Sequence, residues 1–216
     1  MSDPMENLES IGDDILHYLE EKNKVRDETL KISRELVRHC SRAIRAIHRK
    51  ERELAGEYLE AARELASELT SVRDSYPDLY FAGYSRDALK EFAEASIVVA
   101  ILENEPLPDP HKLGIEFSSY LGGLGEAAGE LRRRVLDILR HDEVKEAERL
   151  LAAMDEIYGF LVTVDFPDAI TGNLRRITDM VRGVTERTRG DLTTSIQQRE
   201  LKDALRDVEK KLDQAK

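Results

Sequence analysis

The chain has 216 residues, of which 41% are hydrophobic and 36% charged, with a formal charge of −11. That length and apolar share suffice to bury a core, and the acidic balance excludes a global basic field drawing nucleic acid or membrane to the surface. Any polyanion must be held by a local patch. The single cysteine, Cys40, excludes an intramolecular disulfide and fits a reducing compartment. The opening MSDPMENLES is acidic and lacks the basic and apolar regions of a signal peptide, and no apolar run approaches the ~18 residues of a membrane span. A soluble, cytoplasmic protein with no membrane partner is expected.

Richness in Ala, Leu, Glu and Arg, few prolines and no tryptophan point to helix throughout. From Leu8 to Leu54 the only breaker is Gly12, which predicts one very long first helix, roughly 60–70 Å at about 1.5 Å per residue. Gly56 is read as its break, and a second helix is expected from Glu57 to Tyr76, closed by Pro77. Ser85 is a plausible N-cap for a third helix ending near Asn104, apolar almost all round and therefore central. The loop PLPDP at 106–110 precedes a fourth helix from Ile115 to Arg140, and a fifth runs from Val144 to Val164. After DFPD at 165–168 a sixth helix fills Ala169 to Gly190, and the charged tail from Asp191 to Gln214 forms a seventh. The reading is one all-α domain over 1–216, with about seven helices and with the first ten residues and the tail as candidates for flexibility.

On the first helix, Lys31, Arg34, Arg38, Arg42, Arg45, Arg49 and Arg52 recur at steps of 3, 4, 4, 3, 4 and 3. At about 100° per residue they share one face, with His48 at its edge. Ile32, Leu36, Cys40, Ala43 and Ile47 take the opposite side. An acidic protein thus carries a segregated cationic ridge, and guanidinium forks suit bidentate phosphate contact. An ordinary amphipathic helix gives the same pattern on its solvated face, and the bases could also pair with acids of another helix or subunit.

KEFAEAS places Glu91 and Glu94 three residues apart on the third helix, and GEAAGE places Glu126 and Glu130 four apart on the fourth. Each pair shares a helical face. The short loop between two such apolar helices favours antiparallel neighbours, with Gly122, Gly125 and Gly129 admitting close approach. Four converging carboxylates repel one another, and a divalent cation resolves the conflict. Oxygen-only donors favour Mg²⁺ or Mn²⁺ over zinc, and such an ion supports phosphodiester hydrolysis. With 44 acids in the chain, pairs at these spacings also arise by chance, as at Glu57 with Glu60 and Glu143 with Glu146. The apolar setting sets the two internal pairs apart.

At these residues the chain resembles a family, translin and its partner TRAX. KISRELVRHCSRAIRAIHR resembles the first helix of TRAX, at Lys31, Ser33, Arg34, Arg42, His48 and Arg49. KEFAEAS and YLGGLGEAAGELRR resemble the segments carrying its acids, and NLRRITDMVRGVTERTRGDL follows the family pattern more loosely. The likeness runs from about residue 15 to 195. It implies a seven-helix protomer in a hollow, octameric shell and a metal-dependent endoribonuclease acting on single-stranded RNA. It further implies Glu91, Glu94, Glu126 and Glu130 as catalytic and metal-binding residues for Mg²⁺ or Mn²⁺, with Arg34, Arg38, Arg42, Arg45, His48 and Arg49 along the RNA backbone. All four acids place the chain on the TRAX side, in a stand-alone homo-oligomer like those of prokaryotic relatives. One departure is Glu126, where the family usually has aspartate. The alternatives are a translin-type shell that binds RNA or single-stranded DNA without cutting it, and a helical scaffold with no nucleic-acid role.

Overall fold

The computed structural model describes residues 5–141 and 143–214. Residues 1–4, 142, 215 and 216, which the single-domain reading over 1–216 includes, lie outside the described residues. Nine helices and no strand occur among them, in the order α1 (Leu8–His48), α2 (Arg52–Ser71), α3 (Pro77–Tyr80), α4 (Gly83–Glu103), α5 (Pro110–Leu113), α6 (Phe117–Leu139), α7 (Val144–Thr163), α8 (Asp168–Thr171) and α9 (Leu174–Gln214). Three of them, α3, α5 and α8, are single turns. The all-α class and the very long first helix are as the sequence predicts. No helix among the described residues is long and apolar enough to cross a membrane.

Two compact units divide the fold. The first comprises residues up to Phe92 together with Asp109–Ile115, and the second comprises Ala93–Pro108 and the residues from Glu116 onward. In the first unit α1 and α2 pack against each other. The predicted break at Gly56 is corrected: α1 ends at His48, where Lys50 takes a left-handed φ of 64°. Glu51 N–H then donates to the Ala46 carbonyl at 3.0 Å and Lys50 N–H to that of Ile47 at 3.0 Å. That bond pair closes a helix C-terminus, and Gly56 lies inside α2. Ser85 is not an N-cap either. It is buried, and its hydroxyl donates to the Leu79 carbonyl at 2.8 Å, tying α4 to the turn before it. Lys22 of α1 pairs with Asp78 of α3 at 2.9 Å.

In the second unit α6, α7 and α9 pack pairwise against one another. Their core includes Leu131, Val135, Leu150, Met154, Leu161 and Val181. Arg132 of α6 reaches α9 through Asp191 at 2.8 Å and Thr188 at 3.1 Å, and Arg189 of α9 meets Asp155 of α7 at 2.6 Å. Glu146 is no bare solvated acid. Arg149 grips both its oxygens at 2.7 and 2.8 Å and donates a further bond to the Ile101 carbonyl, and this hydrogen bonding holds the Glu146 carboxyl below the usual range. The expected sixth and seventh helices are one rod, α9, because Gly190 sits in an open helical position with nothing within 4 Å of where a Cβ would be.

Gly125 is where α6 needs a missing side chain. A Cβ there would strike the γ2 methyl of Ile177 on α9 and lie 3.6 Å from Val181 Cγ2, whereas at Gly129 nothing lies within 4 Å. The close approach at Gly125 is therefore to α9. Overpacking a core costs about 1–3 kcal/mol, while alanine gains about 1 kcal/mol over glycine in a helix interior. Gly125→Ala should destabilise the protein by up to about 2 kcal/mol and Gly129→Ala should be neutral or mildly stabilising, as read by urea unfolding; equal effects would remove this account of the contact.

Candidate functional site

Helix α4 is buried on nearly every side. Ala88, Leu89, Phe92, Ala93, Ala95, Ile97 and Val98 are at or near zero exposure, and within that run Glu94 is 9% exposed. Glu91, one turn earlier on the same unbroken helix, is half-buried. On α6 the half-buried Glu126 stands between buried Gly125 and Ala127. Small neighbours flank Glu126 on α6, and mostly apolar ones flank Glu94 on α4.

Glu91, Glu94 and Glu126 each present a carboxylate oxygen, and the three oxygens lie within 4.8 Å of one another. Two unit charges that close repel by about 3 kcal/mol at an effective dielectric near 20, so the arrangement favours a bound cation. The donors are hard oxygens, which suit Mg²⁺ or Mn²⁺. Glu130 is not one of the three oxygens that meet this closely. Half-buried, it lies 3.5 Å from the guanidinium of Arg133. The residues GELRRR carried the signal for that pairing, since an arginine three positions after a glutamate shares its face.

Five of the seven expected bases, Lys31 to Arg45, lie on α1; Arg49 follows its end at His48, and Arg52 opens α2 instead of continuing the first helix. Arg34, Arg38, Arg42, Arg45 and Arg49 are exposed and His48 is half-buried, while Ile32, Leu36, Cys40, Ala43 and Ile47 are buried opposite. Ion pairs occur at its two ends, Lys31 with Glu28 at 3.3 Å and Arg49 with Glu51 at 3.0 Å. Both are exposed, and such pairs contribute about 0–1 kcal/mol, so they yield readily to a phosphate. Arg34, Arg38, Arg42 and Arg45 form no ion pair within the described residues, so pairing among those residues is not the reason for the stripe. Arg45 donates to the Ser41 carbonyl at 3.0 Å. Arg42 lies over the ring of Tyr58 on α2, 5.8 Å from its centroid, and His39 packs against the same ring at 5.9 Å. Tyr58 was not singled out in the sequence because nothing local links it to residues on α1.

No protein-family model matches the chain. An uncharacterised protein of Methanocaldococcus jannaschii is 34% identical over 198 residues, spanning 90% of this chain and 87% of that protein. The crystal structure of AfC3PO superposes with a TM-score of 0.80 at 33% identity, over 87% of this chain and 97% of that one. AfC3PO in complex with duplex RNA superposes with a TM-score of 0.81 at 34% identity, with the same coverage. Apo-NeC3PO shares the fold, with a TM-score of 0.77 at 22% identity over 90% of this chain and all of that one. C3PO is of translin/TRAX type, and a third of the residues are shared with AfC3PO over nearly its whole length; the chain belongs to the translin/TRAX family.

Proposed function

We propose that this protein is a metal-dependent endoribonuclease of TRAX type that cleaves single-stranded RNA in the cytoplasm, inside a hollow homo-octamer. The observation that carries the proposal is the trio of oxygens from Glu91, Glu94 and Glu126 within 4.8 Å of one another, contributed by two helices whose residues beside Glu94 and Glu126 are small and buried. A Mg²⁺ or Mn²⁺ ion bound there would polarise the phosphate and activate water. The protein's share is to hold three carboxylates in place from rigid helices, with Glu94 the most deeply set. Glu130, one turn beyond Glu126 and 3.5 Å from Arg133, would be the acid left to accept a proton from the attacking water.

Arg34, Arg38, Arg42, Arg45, Arg49 and His48 would carry the RNA backbone. AfC3PO, a third identical to this chain, forms a complex with duplex RNA, which supports RNA as the ligand class here. Phosphate contacts position a strand without reading its bases, so exposure of an unpaired strand, rather than its sequence, selects the cut. Glu130's ion pair with Arg133 favours one second reading, a shell that binds RNA or single-stranded DNA and cuts nothing.

Labelled single-stranded RNA should be cleaved in Mn²⁺ or Mg²⁺ and spared in chelator. Glu126→Gln should lower the rate by more than about 100-fold, the upper end of what even an outer partner of a metal ligand contributes, with RNA affinity kept. Cleavage absent in every divalent metal, with binding intact, would establish the second reading.

Arg42→Glu with Arg49→Glu should weaken RNA binding at least tenfold and flatten the dependence of log affinity on log salt by about 1.5, the share of two phosphate contacts on a single strand. Unchanged affinity and slope in a filter-binding titration would remove the ridge from the account.

A further inference from the structure

The last turns of α9 have no role in the reading above. From Gln197 to Gln214 every residue of this helix is exposed, although a stretch of that length is marginal as a helix in water by itself. Its apolar residues are not scattered. Leu201, Leu205, Val208 and Leu212 are 61, 56, 52 and 61% exposed and follow one another at steps of 4, 3 and 4. That alternation is the seam of a coiled coil, and a contiguous exposed apolar stripe marks a contact surface.

The charges around the seam say what covers it. On the outer face, opposite charges are already paired inside the helix, Arg206 with Asp203 at 3.6 Å and Lys210 with Asp207 at 3.8 Å. Lys202 and Glu209 directly follow Leu201 and Val208 and so flank the seam on one side. Neither forms an ion pair within the described residues. We propose that α9 pairs through Leu201, Leu205, Val208 and Leu212 with the same segment of a second copy of this chain, running antiparallel.

Direction follows from chemistry. In an antiparallel pair Leu205 faces Val208 of the partner subunit and Leu201 faces Leu212 of the partner subunit. The same register brings Lys202 beside Glu209 of the partner subunit, and the two-fold symmetry repeats that ion pair. In a parallel pair Glu209 would lie beside Ala204 of the partner subunit and Lys202 beside Gln197 of the partner subunit, and both charges would go unmatched. The other exposed apolar stripe, Leu8, Ile11, Ile15 and Leu19 on α1, is flanked by Glu9, Asp13, Asp14, Glu20 and Glu21. Two copies of it would repel, so it offers no equivalent self-match.

The seam is two heptads long, fewer than the three or four that mark a sustained coiled coil. It therefore joins copies weakly by itself and gains from any other contact between them. The proposal is independent of the metal centre.

Disulfide trapping in the full-length chain tests it, because the native Cys40 is buried. An equimolar mixture of Leu205→Cys and a size-tagged Val208→Cys, mildly oxidised, should give mixed dimers at least tenfold above the like-with-like dimers of either variant. Adding Lys202→Glu to both should cut the mixed product, and adding Glu209→Lys as well should restore it. Like-with-like dimers dominating would show a parallel pair. That outcome, no cross-link at all, or a mixed product indifferent to the charge changes would each overturn the proposal.

Discussion

Three carboxylate oxygens within 4.8 Å of one another are an electrostatic expense that a protein incurs only where something offsets it. Much of the packing around α4 and α6 can be read as what keeps those oxygens where they are. Glu94 sits in a helix whose neighbouring side chains are buried, so it cannot swing into solvent without unpacking Ala93, Ala95 and Ile97. Glu126 is fixed by α6, which is clamped to α9 at Gly125 and through Arg132 to Asp191. The three carboxylates stand on helix interiors rather than on loops, the kind of rigid support that a metal site would need.

The basic ridge obeys a different logic. Its arginines are exposed, and the four in its middle have no acidic partner among the described residues. Only the ends are held by ion pairs, both weak and solvent-screened. A surface of this kind presents charge without spending it internally, and it concentrates that charge in a protein of net −11. Acidity elsewhere makes the ridge more selective, because polyanions are repelled from the remaining surface.

Much of this was legible in the residues. Helical period and apolar spacing located α4, α6 and α7 to within about two residues and the start of α1, since those signals are local. The turns were harder. The helix end at Lys50 uses a left-handed lysine, and α4 likewise gives way at Asn104 with φ 58°, while Gly56 and Gly190 lie in helix interiors. Glycine thus marked the wrong places, because a capping geometry is set by bonds such as Glu51 to Ala46 and not by residue type alone. In the site, spacing paired the acids within each helix, but it did not show that Glu91, Glu94 and Glu126 would converge while Glu130 turned toward Arg133. Nor did it place Tyr58 beneath Arg42. Both depend on contacts between segments distant in sequence.

The claim on which the functional reading rests is that Glu91, Glu94 and Glu126 jointly bind a hard divalent ion. Crystals grown with Mn²⁺ and measured for anomalous scattering test it most directly. The account predicts a single strong peak, about 2.0–2.3 Å from an oxygen of each of these three residues, that disappears in Glu94→Gln. Strong manganese peaks elsewhere, with none among these three carboxylates, would contradict it.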